Sequence, residues 1–64
     1  MSKKHAYLYN GECGVVVMDR CIESGKAKKL HKAGTYREAS AWVHEQHRQS
    51  VESGGPEWAM HVRT

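Results

Sequence analysis

A chain of 64 residues with a formal net charge of +3 and 39% hydrophobic residues has room for one domain with a thin core. No stretch approaches the roughly 20 apolar residues that cross a bilayer as a helix, and the basic segment Met1 to His5 is followed by no apolar run of the kind that makes a secretory signal. These features argue against a membrane protein and point to a single domain over residues 1–64 in the cytoplasm, where thiols stay reduced.

His5 to Tyr9 alternates, with Tyr7 and Tyr9 on one face and Ala6 and Leu8 on the other, and reads as a first strand. Asn10-Gly11 is a strong hairpin signal. Gly14 to Glu23 reads as a second strand, favoured by the β-branched run Val15, Val16 and Val17 and turning half polar after Met18. Along one extended strand, Cys13 and Cys21 would stand roughly 26 Å apart. A disulfide needs Cα atoms within about 7 Å, so two free, partly buried thiols are expected. Ser24 and Gly25 break the strand, and Lys26 to Lys32 holds four lysines with only Leu30 strongly apolar, which suits a loop or a short edge strand.

Thr35-Tyr36-Arg37-Glu38 fits a capping box and predicts a helix from Tyr36 to Val51 or Glu52. Ser53-Gly54-Gly55-Pro56 ends it. At 100° per residue Tyr36, Ala39, Ser40, Val43, His47 and Ser50 share one side, with Trp42 and Val51 at its margins. A buried face of such small side chains suits close approach to a sheet. Glu57 to Arg63 alternates cleanly, with Trp58, Met60 and Val62 inward and Glu57, Ala59, His61 and Arg63 outward. The expected fold is α+β: a small antiparallel sheet in β-β-α-β order, with a possible extra edge strand and one helix on one face. In that scheme the first strand is central and the last strand runs antiparallel to it. Phe is absent and Leu occurs only at Leu8 and Leu30. A core this poor in large residues is marginal unless a second copy or a partner covers more surface, and a homodimer is one way to do so.

Catalysis and metal binding find little support in the residue pattern. His44-Glu45-Gln46-His47 lacks the i, i+4 histidine spacing of zinc proteases, since Arg48 stands where the second His would be. Cys13, Cys21, His31 and His44 or His47 match none of the short ligand spacings of structural zinc sites. No glycine-rich phosphate loop occurs, and Cys13 has no partner base. A non-enzyme without metal or cofactor is expected.

The fold order, the Thr-capped helix with an acidic residue three positions on, and the closing amphipathic strand resemble small phage accessory proteins, in particular the T7-type inhibitors of host RNA polymerase. The likeness covers the second half of the chain and the strand order. His61-Val62-Arg63 is similar to a segment in which basic residues at alternate positions contact the polymerase. Here one of the two is a His, and the acidic strip of that family is replaced by a chain that is basic overall. The resemblance implies a phage or mobile-element protein that inhibits or modulates a host protein complex.

Two binding surfaces follow. If Ala6 and Leu8 pack under the helix, Tyr7 and Tyr9 emerge beside His61 and Arg63, and these four residues form a partner-binding face. If the tyrosines fill the core instead, Leu8 is exposed. The alternative function is a small nucleic-acid-binding module that uses Lys26, Lys28, Lys29 and Lys32, with Arg37 and Arg48, to hold phosphates.

Overall fold

The computed structural model describes residues 3–63, which exclude Met1 and Ser2 of the basic N-terminal segment. Four strands and one helix follow in the order β1 (Lys3–Gly11), β2 (Gly14–Met18), β3 (Lys29–Ala33), α1 (Tyr36–Glu52) and β4 (Glu57–Arg63), with a 3₁₀ turn at Ile22–Ser24. The strands form one sheet in the order β3-β2-β1-β4, with β1 paired on both sides. The fold is α+β, with the helix packed on one face of a mixed sheet.

The direction of β4 departs from expectation. It pairs parallel to β1, with Tyr7 opposite His61 and Tyr9 opposite Arg63. The cause is β3. Lys29–Ala33 is a true strand, antiparallel to β2 and hence parallel to β1. The helix then carries the chain back across the sheet, so β4 leaves it parallel to both β3 and β1. Without β3 one reversal is missing and the last strand comes out antiparallel.

Two boundaries also move. The hairpin turn is Glu12–Cys13, two residues later than Asn10-Gly11, because Gly11 and Gly14 pair as the last rung of the ladder. Gly14 has φ +125°, and a Cβ there would sit 2.4 Å from the Ala33 carbonyl oxygen. Only glycine lets β2 start this close to the end of β3. The second strand stops at Met18 rather than Glu23. Asp19 turns the chain by accepting the Lys28 N–H on its carboxylate at 2.6 Å and donating its own N–H to the Lys28 carbonyl at 3.0 Å. Cys13 is accordingly exposed at the turn and Cys21 half-buried beyond β2, and both are free.

Seven buried side chains make the core: Ala6 and Leu8 of β1, Val15 and Val17 of β2, Ala33 of β3, and Ala39 and Val43 of α1. Leu30, Trp42, Trp58 and Met60 pack around them, half-buried. Each fully buried Leu or Val contributes about 1.5–3 kcal/mol. The small residues on the helix let it lie close to the sheet, and aromatic rings close the sides. His31 stacks on Trp42 with centroids 4.7 Å apart, and Trp42 meets Trp58 edge-on at 6.0 Å. His31 reaches this face by alternation with buried Ala33, and the β2–β3 register then shifts between Val17 and Met18, leaving Leu30 as the extra residue of a bulge and turning Lys29 to the opposite face. The helical stripe is buried only over its middle. Tyr36 is 44% and Val51 49% exposed, because 17 helical residues, about 26 Å, outrun five-residue strands of about 17 Å. Val62, on the edge strand, is half exposed too.

The helix ends are built as the residue types anticipate. Thr35 Oγ1 accepts the Glu38 N–H at 3.2 Å, while Glu38 Oε2 accepts from Gly34 N at 3.1 Å, one residue further back than in a capping box. At the other end Gly54 takes φ +80°. Its N–H donates to the Val51 carbonyl, and Gly55 N–H donates to that of Ser50. This is the Schellman pair, for which a left-handed residue is required.

Two substitutions test this architecture. Thr35→Ala should cost about 1 kcal/mol and lower the melting temperature by several degrees. An unchanged melting curve would remove Thr35 from the cap. Trp58→Ala should cost about 3 kcal/mol or more, leaving the protein largely unfolded at room temperature, whereas a well-dispersed NMR spectrum of that variant would contradict its anchoring role.

Candidate functional site

Period-two alternation sorts the sheet into two faces once the core side is known. Ala6 and Leu8 lie under the helix, so Tyr7 and Tyr9 stand on the open face, with Lys3 and His5 on the same side. From β4 come Glu57, Ala59, His61 and Arg63. On the other flank β2 presents Val16 and Met18, and β3 presents Lys32 opposite Val16 and Lys29 opposite Met18. Of the two placements open for the tyrosines, the structure takes the exposed one, although both rings remain half-buried by their neighbours.

At the centre of this face the rings touch. Tyr7 and His61, cross-strand partners, stack with centroids 4.6 Å apart and planes 17° from parallel. His5 lies 5.0 Å from His61, and one of the two rings donates to the other between His5 Nδ1 and His61 Nε2 at 2.8 Å. One register step along, Tyr9 is held from above. Its hydroxyl accepts the Ile22 N–H at 2.9 Å and donates to Cys21 Sγ at 3.3 Å. The Cys21 thiol in turn donates to the Glu23 carboxylate. That hydrogen bond holds the Glu23 carboxyl below its usual range, and the Cys21 contact raises the Tyr9 hydroxyl, keeping it protonated. Arg63, beside Tyr9, approaches Glu23 Oε1 at 3.8 Å. The 3₁₀ turn therefore folds over one end of the face and fixes both Tyr9 and Arg63.

The lysine and arginine residues of the alternative site are divided by the fold. Lys29 and Lys32 stand on the open face, while Lys26 and Lys28 lie exposed in the approach to β3. Arg37 and Arg48 belong to the helix, on the opposite side of the sheet. Arg48 is bound to both Glu45 and Glu52, which raises its pKa further and neutralises its charge locally. The structure joins Lys29 and Lys32 to the tyrosines and leaves the two arginines out. Alternation alone would put Lys29 and Lys32, three residues apart, on opposite faces; the bulge at Leu30 is what brings both to the face of Val16 and Met18, and no local pattern announces it. His5, Val16 and Met18 are members of the face that the tyrosine pattern alone did not single out.

The remaining chemistry-bearing residues are scattered. His44 is exposed on the helix, His47 Nδ1 accepts the Trp58 N–H at 3.0 Å, and His31 is stacked on Trp42. Among the described residues no three His, Cys, Asp or Glu side chains come together as metal ligands. A shallow groove between the end of α1 and β4 is lined by Lys4, Gln49, Ser50 and Trp58, among others, and the Ser50 hydroxyl there donates to the Pro56 carbonyl at 2.6 Å.

Asp19 governs the loop that brings the lysines to the sheet. The Lys28 N–H holds its carboxyl below the usual range, and Arg20, 3.9 Å away, adds to this. A lowered folded-state pKa means that the contact contributes its full stability above the ordinary carboxylate range. That contribution is lost as pH falls through the depressed value. The Lys28 amide resonance should titrate with a midpoint below that of an unstructured aspartate, and Asp19→Asn should abolish the step. A midpoint at the ordinary value would show that the contact is absent in solution.

Compared with protein-family models, curated proteins and solved structures, the chain matches none of them.

Proposed function

We propose that this chain is a small non-catalytic binding protein whose working surface is the open face of its sheet. The observation that carries this is the position of the tyrosines. In a chain without Phe and with only two Leu, none of the three tyrosines belongs to the core, and two of them, Tyr7 and Tyr9, stand on the open face, stacked or hydrogen-bonded in fixed orientations beside a histidine pair and an arginine. Tyrosine and arginine are the residue types that dominate binding energy at interfaces. Rings already held in place lose little freedom when a partner arrives.

A phage-type modulator of a host protein complex, the role that the resemblance implies, would engage its target through Tyr7, Tyr9, His61 and Arg63. What supports this use is that His61 and Arg63 of the closing strand share the open face while Val62 does not. A nucleic-acid module would use the same surface, and the observation that favours it is that Lys29 and Lys32 lie on that face with the tyrosines.

The face is tested by Tyr9→Ala and Arg63→Ala, each checked for folding by circular dichroism, in capture experiments from host lysate scored for both protein and nucleic acid. Loss of the captured species in both variants is expected, at about tenfold or more in affinity. Full retention in both, together with loss on neutralising Lys28, Lys29 and Lys32, would move the site to the lysine segment.

A further inference from the structure

Resting on the open face as the working surface, the arrangement of its rings and charges points to its occupant, and we infer that this face binds single-stranded nucleic acid. Bases lie over the Tyr7–His61 stack and Tyr9, and phosphates lie along Lys29 and Lys32.

The charges on the face are unequally satisfied. On the β1–β4 side each basic residue has a carboxylate nearby: Glu57 stands in register with Lys3 without closing an ion pair, and Glu23 lies 3.8 Å from Arg63. Lys29 and Lys32 form no ion pair with any described acidic residue. The uncompensated positive charge therefore runs along β3, one flank of the sheet, and the aromatic rings stand on the other flank, with Val16 and Met18 between them. A ligand that fits must be anionic along one side and flat, apolar and stackable along the other. A single strand has that form, because its phosphates and its unpaired bases lie on opposite sides of the sugar chain.

Spacing agrees with this assignment. Tyr7 and Tyr9 are two residues apart on one strand, about 7 Å, which leaves room for one base at each ring. A duplex keeps its base faces inside its own stack, so it has nothing to place on Tyr7 and would be held by the lysines alone. A protein surface is the weaker fit on this flank, because lysine is depleted from protein interfaces.

The test is fluorescence anisotropy with dye-labelled oligo-dT and oligo-U of about a dozen nucleotides and a duplex of the same length, titrated across a range of salt. The single strands should bind more tightly than the duplex. Tyr7→Ala should weaken single-strand binding about 10- to 100-fold and leave duplex binding unchanged, while Tyr7→Phe keeps the ring and restores it. Lys29→Ala with Lys32→Ala should flatten the salt dependence by roughly 1.4 in slope, the value for two phosphate contacts to a single strand. Equal binding of duplex and single strand, or a Tyr7→Ala protein that binds normally, would overturn the inference. Absence of oligonucleotide binding also overturns it. If Tyr9→Ala and Arg63→Ala then still abolish capture of a host protein, the face remains the working surface with a protein on it; if they change nothing, the face itself is wrong.

Discussion

Ala6 and Leu8 on the central strand are both buried beneath the helix, and which face of the sheet is core and which is open follows from the way those two side chains point. A strand alternates, so sending them inward sends Tyr7 and Tyr9 outward. β1 pairs with β4 from Lys3 to Tyr9 and with β2 from Tyr7 to Gly11. It therefore sets the faces of its neighbours as well: Val15 and Val17 inward with Leu8, and Val16 and Met18 outward with the tyrosines. A slip of one residue in β1 would exchange core and binding face at once.

The core that results is small in volume as well as in number. Three of its seven members are alanines, and Leu8, Val15 and Val17 are its largest fully buried side chains. Such a core holds because the helix comes close and the flanks are sealed by Trp42, Trp58 and His31. His47 ties the helix to the first residues of β4 by accepting the Trp58 N–H. These contacts spend the two tryptophans on holding the helix in place. Tyr7 and Tyr9, each with a ring and a polar tip, are left for the sheet face that meets water.

Basic residues divide in the same way. On the helix, Arg48 is matched by Glu52 at i+4 and Glu45 at i−3 and serves the helix itself. On β3 the lysines guard an open sheet edge against pairing with another chain and at the same time charge one flank of the open face. Asp19, by gripping both backbone groups of Lys28, sets where that edge strand begins and so where Lys29 and Lys32 stand.

The local elements were legible in the chain because each has a local cause. The Thr35 cap, the Gly54-Gly55-Pro56 stop, the helix between them and the alternation of Glu57 to Arg63 depend on residues within a few positions of one another. So did the identity of the four face residues, conditional on one choice: whether Ala6 and Leu8 or Tyr7 and Tyr9 go inward. That choice, like the reality of β3, belongs to tertiary structure. Lys29–Ala33 carries too few apolar residues to announce a strand by itself; it forms because β2 offers an edge, Asp19 clamps Lys28 and Gly14 admits the Ala33 carbonyl. With β3 in place the count of chain reversals changes, β4 turns parallel to β1, and Tyr7 meets His61. Side-chain alternation is a property of a single strand and can be read along it, but the face that is buried and the direction of a neighbour are decided only when the strands meet.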